Sequence, residues 1–222
     1  MVVRLWLRTF FLLGFFCHSQ EYFEGELLYK IEYETLNKNI SAEYMAKEFG
    51  DSFTAFVKED RYTMIYNGSG SNGWMKIIVR LDEGYSYTEY EKLDTIAKTK
   101  FAPETSPLLL FERNHKEKKE VMGELCESVT INVLPGEDMS FVKEIRGTHY
   151  FSPKYRLNPE KYKEYGNGYW NDYVKESGAI SIRNETEYQP FFISTSVAVN
   201  IEEMKLDDSL FEPNPNKPIR LE

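Results

Sequence analysis

Along most of the chain, apolar and polar residues alternate with a period of two, the signature of half-buried β-strands. Residues 24–34 show it most clearly: Leu27, Tyr29, Ile31 and Tyr33 share one face, against Glu26, Leu28, Lys30 and Glu32 on the other. The same pattern predicts strands over residues 52–58, 61–66, 74–81, 85–92 and 95–101, then over 124–134, 140–151, 179–187 and 191–201. Short turns separate them, which implies antiparallel pairing in a meander. A helix is expected over residues 41–49, with Ser41 as its N-cap and Gly50 as its terminator. Residues 102–119 hold Pro103, Pro107 and a charged run from Arg113 onward, and read as a solvated loop around an apolar centre at 108–111. The proline-rich tail from Glu212 is expected to be loose.

Residues 155–178 depart from the strand pattern. Asn158 suits an N-cap, Pro159 the first helical position and Gly166 a stop; a second helix follows over 169–177, closed by Gly178. Tyr162, Tyr165, Tyr169, Trp170 and Tyr173 recur at helical intervals, so one side of this insert is aromatic. A long meander with one apolar face must curl or be covered to hide that face. The expected fold is therefore mainly β (α+β): a strongly curved antiparallel sheet, or incomplete barrel, with short helices covering its concave face. What the insert covers is either a solid core or a ligand-sized cavity, and the pattern leaves both open.

The first residues change the picture of where the protein works. Arg4 and Arg8 precede a mostly apolar run from Thr9 to Phe16, and Cys17-His18-Ser19 offers small residues for cleavage, so residues 1–19 read as a secretory signal. Acylation of Cys17 would call for a small residue before it, and Phe16 stands there. Residues 20–222 then form a single domain, exported to the periplasm or cell envelope. The formal net charge of −9 supplies no electrostatic footprint for nucleic acid. With Cys17 in the signal, Cys126 stands alone, so packing must hold the domain without a disulfide.

Candidate chemistry is sparse. Residues 68–73 match G-x-G-x-x-G, but a dinucleotide site needs a helix next, and the residues that follow alternate as a strand. His115 and His149 belong to no short-spaced ligand cluster, so no metal or cofactor is expected. The adjacent acidic pairs Glu202-Glu203 and Asp207-Asp208 point to opposite faces if they lie on strands, and build no acid/base dyad. No catalytic residue is assigned, and the chain is not expected to be an enzyme.

Several short motifs recur together: Phe23-Glu24-Gly25-Glu26, Val121-Met122-Gly123-Glu124-Leu125-Cys126, Thr148-His149-Tyr150-Phe151-Ser152, Asn158-Pro159, the Trp170 region, Gly178 before a strand, and Asp207-Asp208-Ser209-Leu210-Phe211. In these the chain resembles uncharacterised secreted envelope proteins of Bacteroidota, related in shape to the periplasmic lipoprotein carriers and their outer-membrane receptors. The resemblance implies an antiparallel half-barrel with helices over its concave face. It transfers no functional residue. The expected function is non-catalytic binding of an apolar ligand, a lipid or lipoprotein acyl chain, with Tyr162, Tyr165, Tyr169, Trp170 and Tyr173 as lid contacts. The alternative is a structural or protein-interaction module of the envelope with a self-filled core and an envelope protein as partner.

Overall fold

The computed structural model describes residues 22–136, 139 and 141–222; the secretory signal read over residues 1–19 lies outside them. A first meander comprises β1 (Gly25–Thr35), β2 (Ser52–Val57), β3 (Arg61–Tyr66), β4 (Met75–Arg80), β5 (Tyr85–Tyr90) and β6 (Ile96–Lys100). A second comprises β7 (Leu108–Val121), β8 (Glu124–Val133), β9 (Glu144–Arg156), β10 (Ala179–Gln189) and β11 (Phe192–Glu203), and β12 (Ile219–Leu221) closes the chain. All join one sheet in the order β12-β6-β5-β4-β3-β2-β1-β11-β10-β9-β8-β7. The two meanders meet where β1 pairs with β11, and the sheet is not closed into a barrel.

Connectivity alone requires this sheet to curl. The crossover from β6 to β7 joins strands ten positions apart in the order, about 48 Å in a flat sheet at ~4.8 Å per strand. It runs from Lys100 to Leu108, eight Cα steps that reach at most about 29 Å when fully extended. The sheet therefore has a concave face, and side-chain alternation decides what lines it. Leu27, Tyr29, Ile31 and Tyr33 point there from β1; Ala55 and Met64 continue the Leu27 row onto β2 and β3.

Three helices lie against the sheet: α1 (Ala42–Phe49), α2 (Pro159–Tyr162) and α3 (Trp170–Ser177). Each starts or stops on a signal visible in the sequence. The Ser41 hydroxyl accepts from the Tyr44 N–H, the Asn158 side chain accepts from the Glu160 N–H, and Gly178 ends α3 at φ 62°. The main core gathers Leu27, Tyr29, Phe53, Val79, Val129, Phe151 and Ile182 from the strands with Tyr162, Tyr173 and Val174 from the insert. A second cluster, around Ile78, Tyr87 and Ile96, lies on the convex side under Leu206 and Phe211, where the 3-10 turn Asp208–Phe211 crosses the sheet.

Four expectations need correction. Residues 108–121 are a 14-residue edge strand, where a solvated loop was expected over 102–119. Its charges are partnered: Arg113 and Lys118 engage Glu127, and Lys119 engages Glu185. Charges on an edge strand also discourage pairing with another chain. The strand expected over 140–151 is β9, displaced to Glu144–Arg156, so the insert turns helical only after Leu157. Helix α2 stops at Tyr162, before Gly166, whose φ of −77° is ordinary for any residue. The tail is not loose: β12 pairs with β6 in parallel, the one departure from antiparallel pairing among the described residues, and Lys217 reaches the Tyr90 carbonyl and Glu89.

Candidate ligand-binding site

The insert fills one end of the concave face. Tyr62 of β3 lies 6.4 Å from Tyr162 and 6.2 Å from Tyr165, and Tyr165 lies 4.9 Å from Phe101 at the start of the crossover. On the other side, Tyr173 stands edge-on to Phe151 and stacks on Trp170 at 4.4 Å. Tyr162 and Tyr173 are within 1% of complete burial, and Tyr165 is 8% exposed, so these three belong to the core. Tyr169 and Trp170 are half-buried at the edge of the insert. The Tyr169 hydroxyl donates to the Ser106 carbonyl at 2.5 Å, fastening that edge to the crossover. The five aromatic residues of the insert thus divide, three inward and two at the boundary.

Beyond that boundary the concave face is lined by half-buried side chains. Tyr33 comes from β1, Tyr66 from β3, Tyr188 and Thr186 from β10 and Phe192 from β11. Tyr188 stacks on Phe192 at 4.7 Å, and Phe192 stands edge-on to Tyr33 at 6.1 Å. Strands β3 and β10 are four positions apart, about 19 Å in a flat sheet, yet Tyr66 and Tyr188 are in electrostatic reach of each other. The curl brings them together. Burial, then Tyr188 and Asp51, push the Tyr33 phenol up to about 12; burial, then Tyr188, Tyr33 and Tyr165, also raise that of Tyr66. These hydroxyls stay neutral at physiological pH. At the far end, α1 leans on β1, and the Tyr33 hydroxyl donates to the Gly50 carbonyl at 3.0 Å.

One polar network enters this surface. His149 of β9 lies edge-on to Trp170, with ring centres 5.4 Å apart, and its Nδ1 donates to Asn184 Oδ1 at 2.8 Å. That oxygen also accepts from the Ser181 hydroxyl at 2.6 Å, while Asn184 Nδ2 donates to Ser196 Oγ at 3.1 Å. With Nδ1 carrying the proton, Nε2 is an acceptor. Burial lowers the His149 pKa, against the smaller opposing effect of the Asn184 bond, and keeps the ring neutral. Gly147 makes room for it, because a Cβ there would sit 2.7 Å from Nε2.

Sequence reasoning weighs His149 only as a possible metal ligand, and passes over Tyr33, Tyr66 and Tyr188 as site residues. Strand alternation placed Tyr33 on the apolar face; its company with Tyr188 depends on a pairing that no local pattern reveals. Among the described residues, no group of three or more His, Cys, Asp or Glu could hold a metal ion. None of the described helices is long and apolar enough to cross a membrane. A second depression lies on the convex face over Thr54, Ile65, Trp74 and Lys76.

No protein-family model matches the chain, and no curated protein matches it. Among solved structures it is similar to PNGF-II, at 14% identity and a TM-score of 0.45, over 88% of this chain and 31% of that one. The chain thus spans about a third of PNGF-II. It is also similar to a conserved protein from Thermus thermophilus, at 4% identity and a TM-score of 0.47, over 90% and 91% of the two chains. A LolA-superfamily protein from Nitrosomonas europaea matches at 8% identity and a TM-score of 0.40, over 87% and 91%. All three are distant likenesses of shape.

Proposed function

We propose that the chain is a non-catalytic protein of the cell envelope that binds an apolar ligand, a lipid or lipoprotein acyl chain, in the open end of its half-barrel. The observation that supports this is the half-buried aromatic surface of Tyr33, Tyr66, Tyr188 and Phe192 on the concave face, bounded by Trp170. Concave apolar surfaces with a few placed polar groups are the usual form of small-molecule sites. The secretory signal read in residues 1–19 supports export to the envelope. The test is native mass spectrometry of protein purified from its own envelope. An added mass that leaves on denaturation and extracts into organic solvent supports the proposal; a bare chain that also takes up no added lipid refutes it.

A second reading is favoured by the burial of Tyr162, Tyr165 and Tyr173: a protein-interaction module whose concave side is filled by its own side chains. Its partner would be an envelope protein. That reading gains if a protein co-purifies and stays bound when Trp170 is replaced.

A further inference from the structure

Resting on the apolar-ligand reading, we infer that the ligand is an acyl chain carrying an uncharged, hydroxyl-bearing head, seated against Tyr66 and Tyr188 on the concave face that also carries His149, four residues along the sheet from Tyr188. A site for hydrocarbon alone has no use for free polar atoms, because each one stripped of water by the ligand is left without a partner. This surface holds three such atoms. Among the described residues, the Tyr188 hydroxyl makes no hydrogen bond; that of Tyr66 reaches only Met64 Sδ at 3.7 Å; His149 Nε2 has no partner, its ring being held through Nδ1. None of the three is sealed in: among the described residues the buried side-chain polar atoms without a partner are Asn132 Oδ1 and the Tyr173 hydroxyl.

The available chemistry is two hydroxyls, each able to donate or accept, and one imidazole nitrogen able only to accept. An ether or ester oxygen satisfies the phenols, but His149 Nε2 requires a donor, and a hydroxyl supplies both roles. A charged head fits poorly. Arg113, a cation on this face, is engaged by Glu127 at 2.8 Å and by the Glu176 carbonyl at 2.7 Å. Asp51, beside Tyr33, accepts from Asn67 Nδ2 at 2.7 Å. A carboxylate or phosphate entering here would lose its water and find Arg113 already taken by Glu127 and Glu176.

The test uses the delipidated protein and three probes with 18-carbon chains: 1-monooleoylglycerol, oleate and 1-octadecene. Binding is followed by tryptophan fluorescence and confirmed by native mass spectrometry, on the wild type and on the double variant Tyr66→Phe, Tyr188→Phe. Monooleoylglycerol should bind about tenfold more tightly than oleate, and the double variant should lose about tenfold for it, as two hydrogen bonds imply. Binding of 1-octadecene should be unchanged by the substitutions, which shows that the apolar surface is intact. Oleate binding as tightly as monooleoylglycerol, or a double variant that holds monooleoylglycerol as well as the wild type, overturns the inference and leaves the apolar-ligand reading standing. Failure of all three probes to bind overturns both.

Discussion

The backbone N–H of Gly168 donates to the Glu104 carboxylate at 2.6 Å, tying the bend of the insert to the crossover between the two meanders. The other carboxylate oxygen accepts from the N–H groups of Thr105 and Ser106 at 2.9 and 2.8 Å. The tie falls where the backbone is least comfortable. Gly168 and Tyr169 both have φ of 61°, a left-handed conformation that costs a non-glycine residue about 1–2 kcal/mol.

Acid should undo this tie. Burial pushes the Glu104 pKa up, but the Ser106 and Gly168 N–H bonds outweigh it and hold the carboxyl below its ordinary value. A carboxylate depressed in the folded state contributes stability that is complete above its unfolded pKa, about 4.3, and is lost as pH falls through the folded value. Amide exchange across residues 159–178, corrected for intrinsic rates, should hold steady from pH 7 to about 5 and rise below about 4. Glu104→Gln should remove that acid-sensitive component and cost about 1–2 kcal/mol at neutral pH. An insert equally protected in both proteins at low pH would show the tie to be idle.

Two neighbouring glycines should respond differently to alanine. At Gly166 a Cβ would meet the Ala102 carbonyl at 2.7 Å, Glu104 N at 2.9 Å and Pro103 Cα at 3.0 Å, all backbone. Gly166→Ala must therefore push the insert off the crossover, at about 2–3 kcal/mol. At Gly168 the space is open and the cost is conformational, about 1 kcal/mol. Urea denaturation of the two variants measures the difference, and equal midpoints would contradict the packing seen at Gly166.

Tyr173 offers a contrast within one side chain. It is fully buried, so Tyr173→Ala should cost about 3–5 kcal/mol. Its hydroxyl, however, is buried without a well-formed hydrogen bond, although the Ser177 and Ser181 side chains are close enough to offset part of the cost of its burial. Tyr173→Phe removes an unsatisfied group and keeps the ring, and should leave stability unchanged or raise it by about 1 kcal/mol. Thermal unfolding of the pair decides the matter; a marked loss in the phenylalanine variant would mean that the hydroxyl has a partner.

Trp170 stacks on Tyr173 but is itself only half-buried, at the boundary between the packed and open ends. Trp170→Ala should weaken apolar-ligand binding about tenfold or more while costing less stability than Tyr173→Ala. Titration with a lipid probe, set beside the denaturation midpoints, separates the two effects. Undiminished binding would remove Trp170 from the site.

What could be read from the sequence, and what could not, follows the range of the interactions. The first meander, the Ser41 cap and the Gly178 terminator were legible because each depends on residues a few positions apart. Strand β7 was missed because charge from Arg113 to Glu120 resembles a solvated loop until the distant partners Glu127 and Glu185 are placed beside it. Three-residue β12 has too little length for any periodicity, and its position depends on Ile96 and Lys98, more than a hundred residues earlier. The aromatic insert was recognised, yet the direction of each ring was not. Tyr162 and Tyr173 turn inward because β3 and β9 bring Tyr62 and Phe151 to meet them.

The crossover from Lys100 to Leu108 acts as a bowstring on the sheet. However the strands flex, the ends it joins cannot separate beyond the span of that short segment, so the width of the bowl has an upper bound written in chain length. Lengthening the string by a few residues would relax the bow, and widening the mouth would then need no change in any residue that lines it.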